Sequence, residues 1–177
     1  MSIKDEKHER IETIGADFRV GDIEMGHVRV QGNIYFKEVL YGSFLQDMQT
    51  YRTEIEYKDG NRSFIEAARK FDPIAPHGFL YPKGDEELIA QFVMELVYRA
   101  QRLDAVKDLQ MQQKNGEPER VPFLIISNCF DPQQEEHTAL ALGEDTLGDH
   151  IARGNFGKPT LAYRLDPMTG ACIERVY

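Results

Sequence analysis

Along residues 22–30, apolar and polar side chains alternate, with Ile23 and Met25 in one register and Val28 and Val30 in the other. A period of two marks a strand with one buried face. The slip of register at Gly26 predicts a bulge there. Gly32-Asn33 then separates this run from a second alternating run at 34–41, which predicts a tight hairpin turn. The next segment carries two periods at once. Phe44, Met48, Tyr51 and Ile55 recur at helical spacing, and Ser43 with Gln46 has the form of a capping box, whereas Tyr51, Thr53, Ile55 and Tyr57 alternate as a strand. The reading adopted is a short helical turn after Ser43, then a strand over 51–58 closed by a turn at Asp59-Gly60. Residues 63–71 fit either a return strand or a short helix.

Residues 72–84 hold Pro73, Pro76, Pro82, Gly78 and Gly84 together with Phe79, Leu80 and Tyr81. They read as a structured loop and as the seam between two halves of the chain. A long helix follows, over about 85–113. Asp85, Glu86 and Glu87 put negative charge at its positive dipole end. Leu88, Ile89, Phe92, Val93, Leu96, Val97, Ala100 and Leu103 form an apolar stripe of period 3.6, and Asn115-Gly116 is a stop signal. Residues 121–126 are continuously apolar and predict a buried strand. A short helix over 144–153, a loop over 154–159 and a hairpin turning at 166–170 complete the pattern.

Strands outnumber helices and are joined mainly by tight turns, which implies antiparallel pairing. The fold class is therefore α+β: a mainly antiparallel sheet packed against one long amphipathic helix. Residues 1–12 are polar and predicted to be mobile, leaving residues 13–177 as a single domain. Composition agrees, with 41% hydrophobic and 29% charged residues in 177.

Charge narrows the class of partner. The net charge of −9 opposes a phosphate backbone, and the basic residues form no stripe, so nucleic acid is not expected. No apolar run is long enough to cross a membrane. The charged start of the chain carries no apolar leader, and two cysteines make no disulfide framework. A cytoplasmic protein meeting a partner with a basic surface, or pairing as a homodimer, is the expectation.

The chemically richest stretch is ISNCFDPQQEEH, residues 126–137. Asp131 as N-cap, Pro132 at the first helical position and Gln134 as the reciprocal cap would start a helix. That would leave Cys129 between a buried strand and a helix N-terminus, a place that lowers a thiol pKa. In an enzyme, Cys129 would be the nucleophile, His77 the base and Asp131 the orienting acid. His137, about 12 Å further along the presumed helix, is a poor base. Capping accounts for the same residues without catalysis.

Three further patterns are weaker. Glu135, Glu136, His137, Asp145, Asp149 and His150 cluster in sequence, but only Asp145 and Asp149 have same-face helical spacing. Glu56-Tyr57-Lys58, with Asp47 as companion acid, has a nuclease-like form that is common by chance. Gly154 to Lys158 lacks the spacing of a phosphate loop. No metal site and no cofactor is read from the sequence. The expectation is a non-enzymatic protein-binding module (adaptor, dedicated chaperone or inhibitor in type), and the alternative is a small enzyme or ligand binder centred on Cys129.

Overall fold

The computed structural model describes residues 9–10, 15–50, 52–71, 84–113, 116–127, 137–153 and 159–177. Its elements are β1 (Glu9–Arg10), β2 (Phe18–Met25), β3 (Arg29–Phe36), β4 (Val39–Asp47), β5 (Thr53–Tyr57), α1 (Arg62–Lys70), α2 (Asp85–Met111), β6 (Pro122–Ser127), β7 (His137–Leu142), α3 (Glu144–Arg153), β8 (Pro159–Leu165) and β9 (Cys172–Arg175). All strand pairs are antiparallel, and they form two sheets. The α+β class and the long helix hold, with two sheets where one was expected. Within the span read as one domain, the chain packs as two compact units.

One unit comprises Ile14–Ile74 and Phe79–Gln101. Its sheet is a meander in the order β2-β3-β4-β5. Alternation puts Phe18, Val20, Val30, Ile34 and Phe44 on one face, where they cluster with Phe64 and Ala68 of α1, Phe71 just beyond it, and Phe92, Val93, Leu96 and Val97 of α2. Phe64 and Phe92 have no exposed surface and lie 5.1 Å apart, centroid to centroid. A bidentate Arg69–Asp85 ion pair joins the end of α1 to the start of α2.

Four local expectations are corrected here. Gly32-Asn33 is not a turn but lies inside β3. A Cβ on Gly32 would come within 2.9 Å of the Gly21 carbonyl oxygen, so the glycine serves close approach between strands. The turn falls later in the chain than that expectation allows, at Lys37 and Glu38, both of which have positive φ. The bulge falls between Gly21 and Glu24 and not at Gly26, whose N–H closes the β2–β3 hairpin on the Arg29 carbonyl. Finally, no helical turn follows Ser43, because 42–46 pair with both β3 and β5. Gln46 is wholly buried and accepts a hydrogen bond from the Thr53 hydroxyl, so it is no helix cap.

The open choice at 63–71 resolves as helix. Gly60, with φ of 76°, ends the approach from β5, and Phe64 and Ala68 at i, i+4 bury one face. Most of the loop expected at 72–84, together with Tyr51 and 154–158, lies outside the described residues.

The second unit comprises Met1–Thr13, Ala75–Gly78 and Arg102–Tyr177. Its sheet runs β1-β9-β8-β6-β7. Glu9 and Arg10, in the stretch expected to be mobile, pair with Arg175 and Glu174. β6 is buried at every position, as its continuous apolar run requires. Leu147 and Ile151 of α3 pack with Phe123, Ile125, Ala139, Ala141 and Ala162. The β8–β9 hairpin turns as expected: the Asp166 carboxylate accepts N–H bonds from Met168 and Thr169, and Gly170 takes a φ of 69°.

Candidate functional site

The residues proposed for catalysis, Cys129, His77 and Asp131, all lie outside the described residues. The structure does fix both ends of the stretch that holds Cys129 and Asp131. β6 ends at Ser127, β7 begins at His137, and these two are directly paired. His137, expected on a helix capped by Asp131, therefore opens a strand. Thr138, Ala139, Leu140, Ala141 and Leu142 continue that strand, pairing in register with β6 back to Pro122. The helical distance that set His137 apart from Cys129 loses its premise.

The other candidates separate in space or are engaged locally. Asp47 ends β4, and its carboxylate accepts N–H bonds from Gln49 and Thr50, which hold it below the usual carboxylate range. Among the described residues no three His, Cys, Asp or Glu side chains are placed to share a metal ion. Asp145 and Asp149, on α3, form ion pairs with Arg120 and Arg153. No described helix is long and apolar enough to cross a membrane.

A cleft of about 320 Å³ opens in the second unit. Leu109, Gln112 and Gln113, from the end of α2 and just beyond it, line one side. Glu117 and Arg120 enter from the connection to β6, and Thr146 and His150 from α3. Leu140 and Leu142 of β7 supply apolar floor between them. Apart from His150, weighed above only as a metal ligand, none of these residues was singled out for function in the sequence. The one signal was Leu140 and Leu142 two apart in a strand that follows a polar stretch.

Local chemistry fixes the wall. Arg120 Nη2 donates to Asp145 Oδ2 at 2.7 Å, and its Nη1 donates to the Leu142 carbonyl at 3.3 Å. One guanidinium thereby ties the connection before β6 to β7 and α3. The Arg120 hydrogen bond, then the Thr146 N–H, hold the Asp145 carboxyl below its ordinary value. Gly143 makes this possible. Its φ is 84°, and a Cβ there would stand 2.8 Å from Asp145 Oδ1 and 3.2 Å from Arg120 Cζ.

Of the charged side chains that line the cleft, Arg120 is matched by Asp145, whereas Glu117 has no ion pair among the described residues. The last turn of α2 carries no basic side chain to offset the negative end of its dipole. Apolar side chains beside an unmatched glutamate can hold a chain that presents both apolar and cationic groups.

Compared with known proteins, the chain matches no family model, no curated protein and no solved structure.

Proposed function

We propose that the chain is a non-enzymatic protein-binding module that docks a partner through a basic surface, and that the cleft beside β7 is its contact point. The observation that carries this reading is Glu117, with no ion pair among the described residues, in a cleft whose apolar lining is Leu109, Leu140 and Leu142. The net charge of −9 adds long-range attraction for a cationic partner. A cytoplasmic location accompanies the reading, since two cysteines give no disulfide framework.

The test is affinity capture by the native chain and by a Glu117→Lys variant, followed by crosslink mapping. A basic partner that crosslinks at the cleft and is lost with the charge-reversed variant supports the module. Equal capture by both chains sinks it. So does fast alkylation of Cys129, in a Cys172→Ser background, with a midpoint well below about pH 8, which would favour the enzyme alternative.

A further inference from the structure

β7 is the terminal strand of its sheet, so one of its edges has no strand partner among the described residues. The direction of its backbone groups follows from one hydrogen bond. The Gly143 N–H donates to the Val121 carbonyl at 2.8 Å, and the β6–β7 register then runs without a slip from Pro122–Leu142 to Ser127–His137. In an antiparallel pair, bonded and non-bonded positions alternate. Gly143 is bonded to the β6 side, so Ala141 and Ala139 are too. Leu142, Leu140 and Thr138 turn their N–H and C=O groups to the outer edge. The Leu142 carbonyl is engaged by Arg120; those of Leu140 and Thr138 face outward. Leu140 and Leu142 are also the residues whose side chains floor the cleft.

We infer that the occupant of the cleft is an extended segment of a partner chain, alternating apolar with Lys or Arg, which adds to β7 as a further strand of the sheet. The inference rests on the protein-binding reading and specifies how that binding occurs. An extended strand satisfies outward main-chain groups and gains affinity from them, while every second side chain enters a pocket. Here the pocket is the floor of Leu109, Leu140 and Leu142, which suits apolar side chains. The alternate side chains point to the other face of the sheet, where cations add to the long-range attraction of a chain of net charge −9. Three outward positions at every second residue span about five residues of added strand. An exposed edge of this kind otherwise invites uncontrolled pairing, and a dedicated occupant removes that hazard.

The probe is a capped octapeptide alternating lysine with valine, titrated into the full chain. Hydrogen exchange is followed amide by amide, and the peptide is also made with N-methyl groups at odd or at even positions. Strand addition predicts saturable binding and at least tenfold slower exchange at Thr138 and Leu140, with Ala139 and Ala141 unchanged. It also predicts at least tenfold weaker binding for one methylation phase and little change for the other. Thr138→Pro removes an outward donor and no bond to β6, a substitution an edge strand tolerates, and is expected to weaken binding at least tenfold with an unchanged circular dichroism spectrum. Should that variant not fold, the exchange pattern of the native chain decides. Binding without protection at Leu140, equal effects of both methylation phases, or no binding of the peptide each overturns strand addition. Those results leave the module itself standing if charge reversal abolishes partner capture, and it falls separately if capture is unaffected.

Discussion

Arg19 grips Glu38 with two nitrogens, Nε at 2.9 Å and Nη2 at 2.8 Å, while its guanidinium carbon lies 4.2 Å from the centre of the Tyr35 ring. Glu38 and its neighbour Lys37 form the β3–β4 turn with φ of 67° and 47°. Two-residue turns with both φ positive favour Asn-Gly, because other side chains are strained there. The Arg19 clamp offsets that strain from the neighbouring strand. Lys37→Asn keeps the clamp and eases the backbone, so it should raise stability by about 0.5 kcal/mol. Arg19→Ala should lower stability. Both are read as shifts in the urea midpoint at unchanged slope.

Acid should destabilise the fold through specific carboxylates. Asp22, Glu38, Asp47, Asp85 and Asp145 are all held below their ordinary values. The leading causes are hydrogen bonds from Asn33, Arg19, the Thr50 N–H, Arg69 and Arg120 respectively. A carboxyl with a depressed folded pKa binds its proton more tightly when unfolded. Its contribution is complete above the unfolded value of about 4, and is lost as pH falls from there through the folded value. Urea midpoints should hold level down to about pH 5 and fall below about pH 4. Molar salt should weaken the Arg69–Asp85 part and spare the Asp47 part, whose donors are backbone amides. A midpoint flat down to about pH 2.5 would contradict this.

At the alkaline end, burial pushes the Tyr57 hydroxyl up to about 12, with the nearby Tyr41 adding to the rise. The sign reverses, since the unfolded chain now loses its proton first. Tyr57's contribution is intact below about pH 10 and declines between there and its folded value. Absorbance titration at the phenolate band should show late-ionising tyrosines, Tyr35 among them through its hydrogen bond to Asp22, and Tyr57→Phe should remove a step at about 12. A native chain whose tyrosines have all ionised by about pH 11 would refute the assignment.

Where pattern and packing coincide, the fold was legible in the sequence. The stripe from Leu88 through Val97 gave α2, the unbroken run before Ser127 gave β6, and Asp166 with Gly170 gave the last hairpin. The misreadings share a cause: local chemistry that suits two structures, decided by distant residues. Phe44 and Met48 have helical spacing, but 42–46 are claimed by strands on both sides. Gly32 resembles a turn glycine, and only the approach of Gly21 shows why no side chain fits. The cleft was illegible for a different reason. Leu109, Arg120, Leu140 and His150 are remote in sequence and meet only through the order of strands and the turn at Gly143. Cys129 and Asp131 drew attention because they are neighbours in sequence, which says little about neighbours in space.

Gly143 and Gly148 test how far the cleft depends on that turn. One precedes α3 and the other lies within it, and the two look equivalent in sequence. A Cβ added at Gly148 would meet nothing within 4 Å, so Gly148→Ala should raise stability by roughly 0.5–1 kcal/mol through helix propensity alone. At Gly143 the same methyl group meets a φ of 84°, the Asp145 carboxylate at 2.8 Å and the Arg120 guanidinium at 3.2 Å. Gly143→Ala should cost about 1–3 kcal/mol. It should also part Arg120 from Asp145, releasing the wall that joins β7 to α3. Thermal unfolding of the two variants should therefore move in opposite directions. Binding of the lysine–valine octapeptide should weaken with Gly143→Ala and stay unchanged with Gly148→Ala. Equal stability in both variants would mean that the turn does not carry the ion pair, and that the cleft wall is held by something other than Arg120.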